Sequence, residues 1–175
     1  PEGADDGRLK VVATVFPAYD FARAVGGDLA EVQLLLPPGT ESHSYEPTPA
    51  DILAVQDCDL FIYLGGESDT WVETILESVE LRGQTMRMVD CVPLLEEETV
   101  EGMESYEAAH GHDHDHEEAP GLGEVVGYDE HVWTSPQNAA RITRAVGEKL
   151  AELDPANGET YAANTEAYAA QIEAL

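Results

Sequence analysis

The chain has 175 residues and is strongly acidic, with 8 lysines and arginines against 36 aspartates and glutamates and a formal net charge of -28. Such a charge repels phosphate backbones and anionic membrane surfaces and attracts cations, which argues against nucleic-acid binding. For much of the chain, the excess of acidic residues is explained well enough as a surface that keeps the protein in solution. Hydrophobic residues make up 43% of the chain, which predicts one folded domain at this length. No apolar run approaches the roughly 20 residues that a transmembrane helix needs.

The first ninety residues alternate between short apolar runs typical of strands and segments with helical periodicity. Four strands are predicted, over residues 9–16, 31–37, 59–66 and 85–90. Three helices are predicted, over residues 18–25, from residue 48 onward and over 69–80. Thr48 and Pro49 indicate a helix start, because threonine is a good cap and proline at the first helical position loses no hydrogen bond. Repeated strand–helix units predict the α/β class, with an open, four-stranded, mainly parallel sheet flanked by helices.

After residue 91 the composition changes, because no lysine or arginine occurs between Arg87 and Arg141 while acids and histidines accumulate. We expect residues 92–127 to form an acidic, histidine-rich, flexible loop. This loop would belong to a domain over residues 9–154, preceded by a polar N-terminal tether at residues 1–8.

Two further helices are predicted where Ser135 and Asp154 are each followed by proline. Ser135 is expected to cap the first of them, as Thr48 caps the earlier helix. The last helix reaches the end of the chain without a stop signal. Its apolar stripe is therefore expected to be unburied or to pack on another copy of the chain; the stripe consists of Tyr161, Tyr168, Ile172 and Leu175.

The two cysteines are expected to be free and mostly buried. Cys58 begins one strand-like run and Cys91 ends the next, so a parallel pair of strands would place them at opposite ends. A strand of about five residues spans roughly 16 Å, which is beyond the reach of a disulfide.

A histidine-rich run, AHGHDHDHEEAP at residues 109–120, is the most conspicuous local pattern. Its side chains suit zinc, copper or nickel, because imidazole nitrogens and carboxylate oxygens bind these ions. The spacing alone defines no coordination geometry, so a functional metal-capturing run and an incidental solvated loop are both open interpretations. The candidate accessory ligands are His110, His112, His114 and His116.

Two other histidines, His43 in ESHSYEPTP and His131 in YDEHVWTSP, lie in loops. Ligands of open α/β sheets collect outside the carboxyl ends of the strands, so the two side chains are candidates for a shared metal site. The alternative is that each is a surface or structural histidine held by a neighbouring acid, Glu41 or Glu130. Tyr45 and Glu46 either orient His43 through hydrogen bonds or only pack the loop.

Three other positions have simpler interpretations. Trp133 is interpreted as a core or wall residue. Glu67 and Asp69, beside a predicted helix start, are expected to interact favourably with the helix dipole. Gly65 and Gly66 follow a strand but lack the rest of a phosphate-binding fingerprint, so they predict a turn.

Four segments of the chain read, in order, VVATVFPAYDFARAVGGD, LLLPPGTESHSYEPTP, CDLFIYLGGESDTWV and YDEHVWTSPQNAARI, with a histidine-rich insert before the last. Together they resemble the zinc and manganese solute-binding receptors of ABC importers. The resemblance implies that His43, in a G-x-x-P-H-x-Y/W-E-P-x-P loop, and His131, in a D-P-H-x-W-x-S/D-P segment, are metal ligands. Ser42 and Glu130 stand where the family usually has proline. The resemblance also implies two lobes, with residues 155–175 beginning the helix that joins them and the remaining ligands in an absent C-terminal lobe.

The resulting hypothesis is a binding protein outside the cytoplasm, periplasmic or lipid-anchored at the cell surface. It would capture a transition metal for the membrane permease of an ABC importer. Zn(II) is favoured over Mn(II), because manganese prefers oxygen-rich sites. The alternative is an extracytoplasmic zinc buffer or chaperone that acts through the histidine-rich loop. An enzyme is disfavoured, because the chain has no H-E-x-x-H and no G-x-S-x-G motif.

Overall fold

A computed structural model of the chain describes residues 7–40, 42, 45–66, 69–93 and 131–175. This part contains four strands, β1 (Leu9–Ala13), β2 (Ala30–Leu34), β3 (Leu60–Tyr63) and β4 (Gln84–Arg87). They form one sheet in the order β2-β1-β3-β4, and every neighbouring pair is parallel. The predicted α/β class and parallel sheet are confirmed.

Five α-helices occur among the described residues: α1 (Phe16–Gly26), α2 (Pro49–Asp57), α3 (Thr70–Ser78), α4 (Pro136–Leu153) and α5 (Gly158–Glu173). The strands are shorter than predicted at their carboxyl ends. Phe16, predicted to end the first strand, instead begins α1, with Pro17 in the first turn where its fixed φ favours a helix.

The sheet is covered on both faces, because alternate residues of each strand point to opposite sides. Val11 and Ala13 belong to the larger core cluster, which contains residues of α1, α4 and α5. Val12 belongs to the second cluster, with residues of α2 and α3. Every residue of the central strand β3 is buried, as expected for a strand covered by helices on both faces.

Thr48 and Ser135, the hydroxyl residues at two predicted helix starts, differ in the capping hydrogen bonds that they make. At α2, Thr48 and Asp51 form a capping box, in which the Asp51 N–H donates to Thr48 Oγ1 at 3.3 Å and the Thr48 N–H donates to Asp51 Oδ2 at 2.8 Å. At α4, Ser135 makes no side-chain capping bond with the described residues. The prediction of a Ser135 cap was wrong, and Pro136 remains as the local signal for that start.

The C-terminal helix packs on its own chain, so the prediction of an unburied or intermolecular stripe is wrong for Tyr161 and Ile172 and holds for Leu175. Tyr161 is fully buried and Ile172 is 8% exposed, whereas Leu175 is 95% exposed. The Asn164 side chain donates to the Val25 carbonyl at the end of α1 at 3.0 Å. Tyr168 lies against Phe21 with ring centroids 6.4 Å apart. The residues of the stripe before Leu175 therefore pack in the groove between α1 and α4.

Both cysteines are free, as predicted; Cys58 is buried and Cys91 is half-buried. Burial raises the pKa of Cys58 to about 12, with a further contribution from the nearby Asp59 carboxylate. Burial and Asp90 raise the pKa of Cys91 to about 11. Both pKa values favour the protonated thiol at neutral pH.

The predicted histidine-rich loop lies outside the described residues except at its first two positions. Val92, which was predicted to begin the loop, is 8% exposed and belongs to the larger core cluster. The folded part of the chain therefore extends at least one residue further than predicted. Within the described part, no helix combines the length and apolar character that crossing a membrane requires.

Candidate metal centre

The carboxyl ends of β1 and β3 lie side by side where the strand order reverses. The connection from β1 leads to β2 on one side, and that from β3 leads to β4 on the other. In open α/β sheets this switch point is where ligands bind. Thr14 follows β1 here; its N–H donates to the Ile62 carbonyl at 3.0 Å. The Thr14 side chain is fully buried, and its hydroxyl has no hydrogen-bond partner among the described residues.

The loop that contains His43 is attached to the end of β3 through Ser42. The Ser42 hydroxyl donates to Asp69 Oδ1 at 3.2 Å and accepts from Trp71 Nε1 at 3.2 Å. Asp69 is 2% exposed, and its Oδ2 accepts from the backbone N–H groups of Leu64 at 2.7 Å and Gly65 at 3.0 Å. Ser42, which immediately precedes His43, therefore lies at the carboxyl edge of the sheet.

Asp69 has contacts beyond the favourable interaction with the helix dipole that was predicted for it, and that interaction stays a prediction. It precedes α3 but makes no side-chain capping bond with it among the described residues. Its carboxylate instead binds the turn after β3, where Gly65 has a φ of 90°. The predicted turn at Gly65 is confirmed, and a carboxylate stabilises it by accepting two backbone donors that would otherwise be unsatisfied. Glu67 lies outside the described residues.

The loop is also held on the far side of His43, by Tyr45. The Tyr45 hydroxyl donates to Asp51 Oδ2 at 2.9 Å, and its ring meets the Trp71 ring edge-on with centroids 4.9 Å apart. Burial and the hydrogen bond to Asp51 raise the pKa of Tyr45 to about 12. Tyr45 therefore anchors the loop to α2 and α3.

His43 itself and Glu41 lie outside the described residues. Glu46 is described and its side chain is exposed. A hydrogen bond between Glu46 and His43 stays a prediction.

The position of His131 follows from the direction of α4. Near the end of this helix, the Lys149 ammonium donates to Gln84 Oε1 at 3.2 Å, and Gln84 is the first residue of β4. The end of α4 therefore lies at the amino edge of the sheet. The helix has 18 residues and is about 27 Å long at roughly 1.5 Å per residue. Its start, and His131 just before it, therefore lie toward the carboxyl edge.

The His131 segment is fixed by its backbone and its neighbours, while the imidazole is exposed. The His131 carbonyl accepts from the Thr134 N–H at 3.1 Å and from Thr134 Oγ1 at 2.8 Å. Val132 is 7% exposed in the larger core cluster. Trp133 packs against the same cluster, which confirms its interpretation as a core or wall residue, and its ring centroid lies 5.6 Å from that of His131.

The structure thus brings Ser42 and His131 to one edge of the sheet. Within the residues it describes, no three histidine, cysteine, aspartate or glutamate side chains form a metal-binding group. The predicted site residues outside the described part are His43, His110, His112, His114, His116 and Glu130. A cavity of about 460 Å³ lies elsewhere, between α2 and the sheet beside Lys10, Glu31 and Asp57, and contains none of the predicted ligands.

Sequence reasoning missed the contacts among Ser42, Asp69 and Trp71. The sequence did contain one signal: Asp69 comes four residues after Gly65, the first glycine of the turn that follows β3. At this spacing the carboxylate can accept hydrogen bonds from the backbone N–H groups of the turn. The serine partner comes from a segment 27 residues away.

Residues 11–175 match the family described as ZnuA, zinc-uptake complex component A periplasmic. The zinc-binding lipoprotein AdcA of Streptococcus pneumoniae is 34% identical over 171 residues, which cover 97% of this chain and 32% of AdcA. The high-affinity zinc uptake system protein ZnuA of Bacillus subtilis is 34% identical over 170 residues, which cover 96% of this chain and 49% of that protein.

Among solved structures, the Zn(II)-bound ZnuA-like domain of Streptococcus pneumoniae AdcA superposes with a TM-score of 0.72 and 29% identity. The superposition covers 96% of this chain and 53% of that one. The chain thus spans about half or less of the length of these relatives. Because the family match covers nearly all of its residues, the chain belongs to the ZnuA family of periplasmic zinc-uptake components.

Proposed function

We propose that this chain is the N-terminal lobe of a receptor outside the cytoplasm that captures Zn(II) and delivers it to the permease of an ABC importer. The observation that carries the proposal is that Ser42, adjacent to His43, is hydrogen-bonded to Asp69 beside the end of β3, while the direction of α4 puts His131 toward the same carboxyl edge of the sheet. Family membership supports the transport role, and the lipoprotein name of AdcA supports a lipid anchor.

His43 and His131 are the proposed ligands. A neutral imidazole binds zinc through one ring nitrogen. Two imidazoles make half of a tetrahedral site, so further ligands would come from a second lobe, reached through residues 155–175. The net charge of -28 raises the local concentration of cations around the protein and therefore near the proposed site. The lobe binds and releases its cargo without chemical change, so no catalytic residue is assigned.

Zinc is proposed as the cargo, and manganese is the alternative. Imidazole ligands suit zinc, whereas manganese prefers carboxylate, carbonyl and water oxygens. The names of both AdcA and ZnuA state zinc. Mn(II) is therefore expected to compete poorly with Zn(II) for the site, and equal competition would contradict the choice of zinc.

A competition titration with a zinc chelator tests the site. His43→Ala combined with His131→Ala is expected to abolish the tightest binding event, because it removes both of the proposed imidazole ligands. The matched control is His114→Ala combined with His116→Ala, which removes the same number of imidazoles from the histidine-rich run and should leave that event intact. The proposal is wrong if the first pair spares tight binding.

Diffraction from zinc-soaked crystals, with the anomalous signal measured at the zinc edge, provides an independent test. An ion between His43 and His131 is the expected result. An ion bound only by residues of the histidine-rich run would instead favour the alternative, a zinc buffer that acts through the loop.

A further inference from the structure

The cavity of about 460 Å³ between α2 and the sheet lies within the range of roughly 300–1,000 Å³ that is usual for small-molecule sites. Its helical wall is the face of α2 that contains Ala50, Leu53 and Ala54, and Val12 of β1 lines the side of the sheet. Leu53 is 59% exposed although it is a large hydrophobic side chain. A ligand in the cavity would therefore cover apolar surface that the described part of the chain leaves open to solvent.

The polar side of the cavity contains Lys10 and Gln33. Alternate residues of a strand point to the same face, so Lys10 lies on the face of Val12, and Gln33 pairs with Val12 in the register of β1 and β2. Neither the Lys10 ammonium nor the Gln33 amide has a hydrogen-bond or ion-pair partner among the described residues. Every other lysine and arginine in this part has an ionic, hydrogen-bonded or aromatic partner. Within the described residues, Lys10 is therefore a cation available to a ligand.

Salt bridges already engage the acids that line the cavity. Glu31 pairs with Arg8 at 3.3 Å and Asp57 pairs with Arg82 at 3.2 Å. Asp59, beside the cavity, accepts from the backbone N–H of the cavity's lysine at 2.8 Å. Three acidic and three basic side chains thus lie in or beside the cavity, whereas the whole chain has 36 acidic residues and 8 basic ones. A small anion is therefore repelled less here than the net charge of -28 implies.

We propose that the cavity binds a monocarboxylate with an apolar body. The carboxylate contacts the Lys10 ammonium and the Gln33 amide, and the apolar body packs on Leu53. A single unpaired ammonium suits a single negative charge, whereas a phosphate monoester carries about -1.5 to -2 at neutral pH and is repelled more strongly by the acidic chain. Lys10 is near the amino end of β1, so this cavity is separate from the proposed zinc site at the carboxyl edge, and the two proposals are independent.

An NMR titration of the whole chain with octanoate, in which the backbone amide chemical shifts are followed, tests the proposal. Saturable shifts are expected at Val12, Gln33 and Leu53, because these residues line the cavity. Lys10→Gln is expected to weaken octanoate binding about tenfold, because a hydrogen bond between charged groups is lost.

Lys149→Gln is the matched control for the loss of a lysine. The Lys149 ammonium donates to Gln84 at 3.2 Å and to Glu152 at 2.7 Å, and none of these residues lines the cavity, so octanoate affinity should be unchanged. Leu53→Ser tests the apolar wall and is expected to weaken binding several-fold. Lys10 and Leu53 are both exposed, so neither substitution should unfold the chain, and circular dichroism checks this.

Octanol and octanedioate separate the contributions of charge and apolar surface. Octanol has the same chain without a charge and should bind about tenfold more weakly than octanoate. Octanedioate carries a second carboxylate, which would lie against the apolar wall without a partner, so it should also bind more weakly. Three results would contradict the proposal: octanol that binds as tightly as octanoate, full octanoate affinity in Lys10→Gln, or octanoate-induced shifts that do not saturate or that lie elsewhere in the chain.

Discussion

Asp51 connects the start of α2 to the loop that contains His43. Its carboxylate accepts hydrogen bonds from the Thr48 N–H at 2.8 Å, the Thr48 hydroxyl at 2.7 Å and the Tyr45 hydroxyl at 2.9 Å. Partial burial opposes ionisation of this carboxyl, but the three hydrogen bonds outweigh it and lower the pKa of Asp51. The ionised side chain is therefore a favourable part of the folded state.

Replacing this carboxylate should cost stability at neutral pH and little in acid. Because the pKa of folded Asp51 lies below that of the unfolded chain, about 3.9, the contribution is present above that pH and lost as pH falls through the folded pKa. Asp51→Asn is expected to lower the free energy of unfolding by about 1 kcal/mol at neutral pH. Urea unfolding at neutral pH and near pH 3 measures both values.

Asp28→Asn, at an exposed aspartate, is the control and should change stability little at either pH. An equal loss for Asp51→Asn at both pH values would show that the charge of Asp51 contributes nothing.

The contrast between Asp51 and Asp69 shows which residue roles are readable from sequence. The partners of Asp51 at the helix start lie three residues away, and local spacing of this kind predicts a cap. Asp69 also precedes a helix, yet its side-chain partners are Ser42 and the backbone after β3. Only the folded sheet brings Ser42 there, so local rules assigned Asp69 to the dipole of α3.

At the scale of elements, α4 and α5 approach closely because Gly147 has no side chain. A Cβ added at Gly147 would lie 2.0 Å from Thr165 Oγ1 and 3.0 Å from Thr165 Cβ. Thr165 is 5% exposed, and its hydroxyl donates to the Tyr161 carbonyl at 2.7 Å. Since the threonine has little room to move, the glycine determines how near the two helices lie.

Gly147→Ala should therefore force the helices apart. The expected cost is about 1–3 kcal/mol, the usual range for overpacking a core, although alanine is the better helix former. Gly158→Ala is the matched control, because a Cβ there would meet only Ala151 Cβ at an ordinary 3.8 Å. It is expected to be neutral or to stabilise by up to about 1 kcal/mol. Thermal unfolding of both variants measures the difference; equal stabilities would contradict the close contact.

The same helix pair explains an incorrect sequence prediction. Periodicity correctly placed Tyr161, Tyr168 and Ile172 on one stripe, but it does not identify what covers the stripe. The covering surface comes from α1, more than a hundred residues earlier, and from small residues of α4 such as Gly147 and Ala151. The parallel arrangement of the strands was predictable because each strand–helix unit is local, whereas the strand order was not predicted.

At the scale of the whole molecule, the chain is acidic and its candidate binding site lies at the carboxyl edge of a parallel sheet. The described part supplies anchored positions at Ser42 and His131 but no complete group of metal ligands. The chain spans 49% of ZnuA from Bacillus subtilis. The sequence resemblance predicts His43 and His131 as ligands, and this stays a prediction, whereas the contacts that hold Ser42 and the His131 segment required the fold.

The histidine-rich run raises the question of which imidazoles bind zinc most tightly. Four histidines at every second position, His110 to His116, offer several similar ligand sets. Binding must order one of these sets, at a cost in conformational entropy. His43 and His131 instead adjoin positions that hydrogen bonds already fix, so their nitrogens should lose less freedom on binding.

Deletion of residues 109–118 is therefore expected to reduce the zinc stoichiometry and remove the weakest binding phase while the tightest event remains. The combined His43→Ala and His131→Ala variant should show the opposite pattern, keeping weak binding and losing the tight event. Competition titrations of the two variants and the unmodified chain, at one ionic strength, measure both phases. Because the deletion also removes acidic residues, a small loss of affinity in every phase is expected from the weaker attraction of cations. If the deletion instead removes the tight event and the double variant keeps it, the histidine-rich run is the functional site and the sheet edge is not.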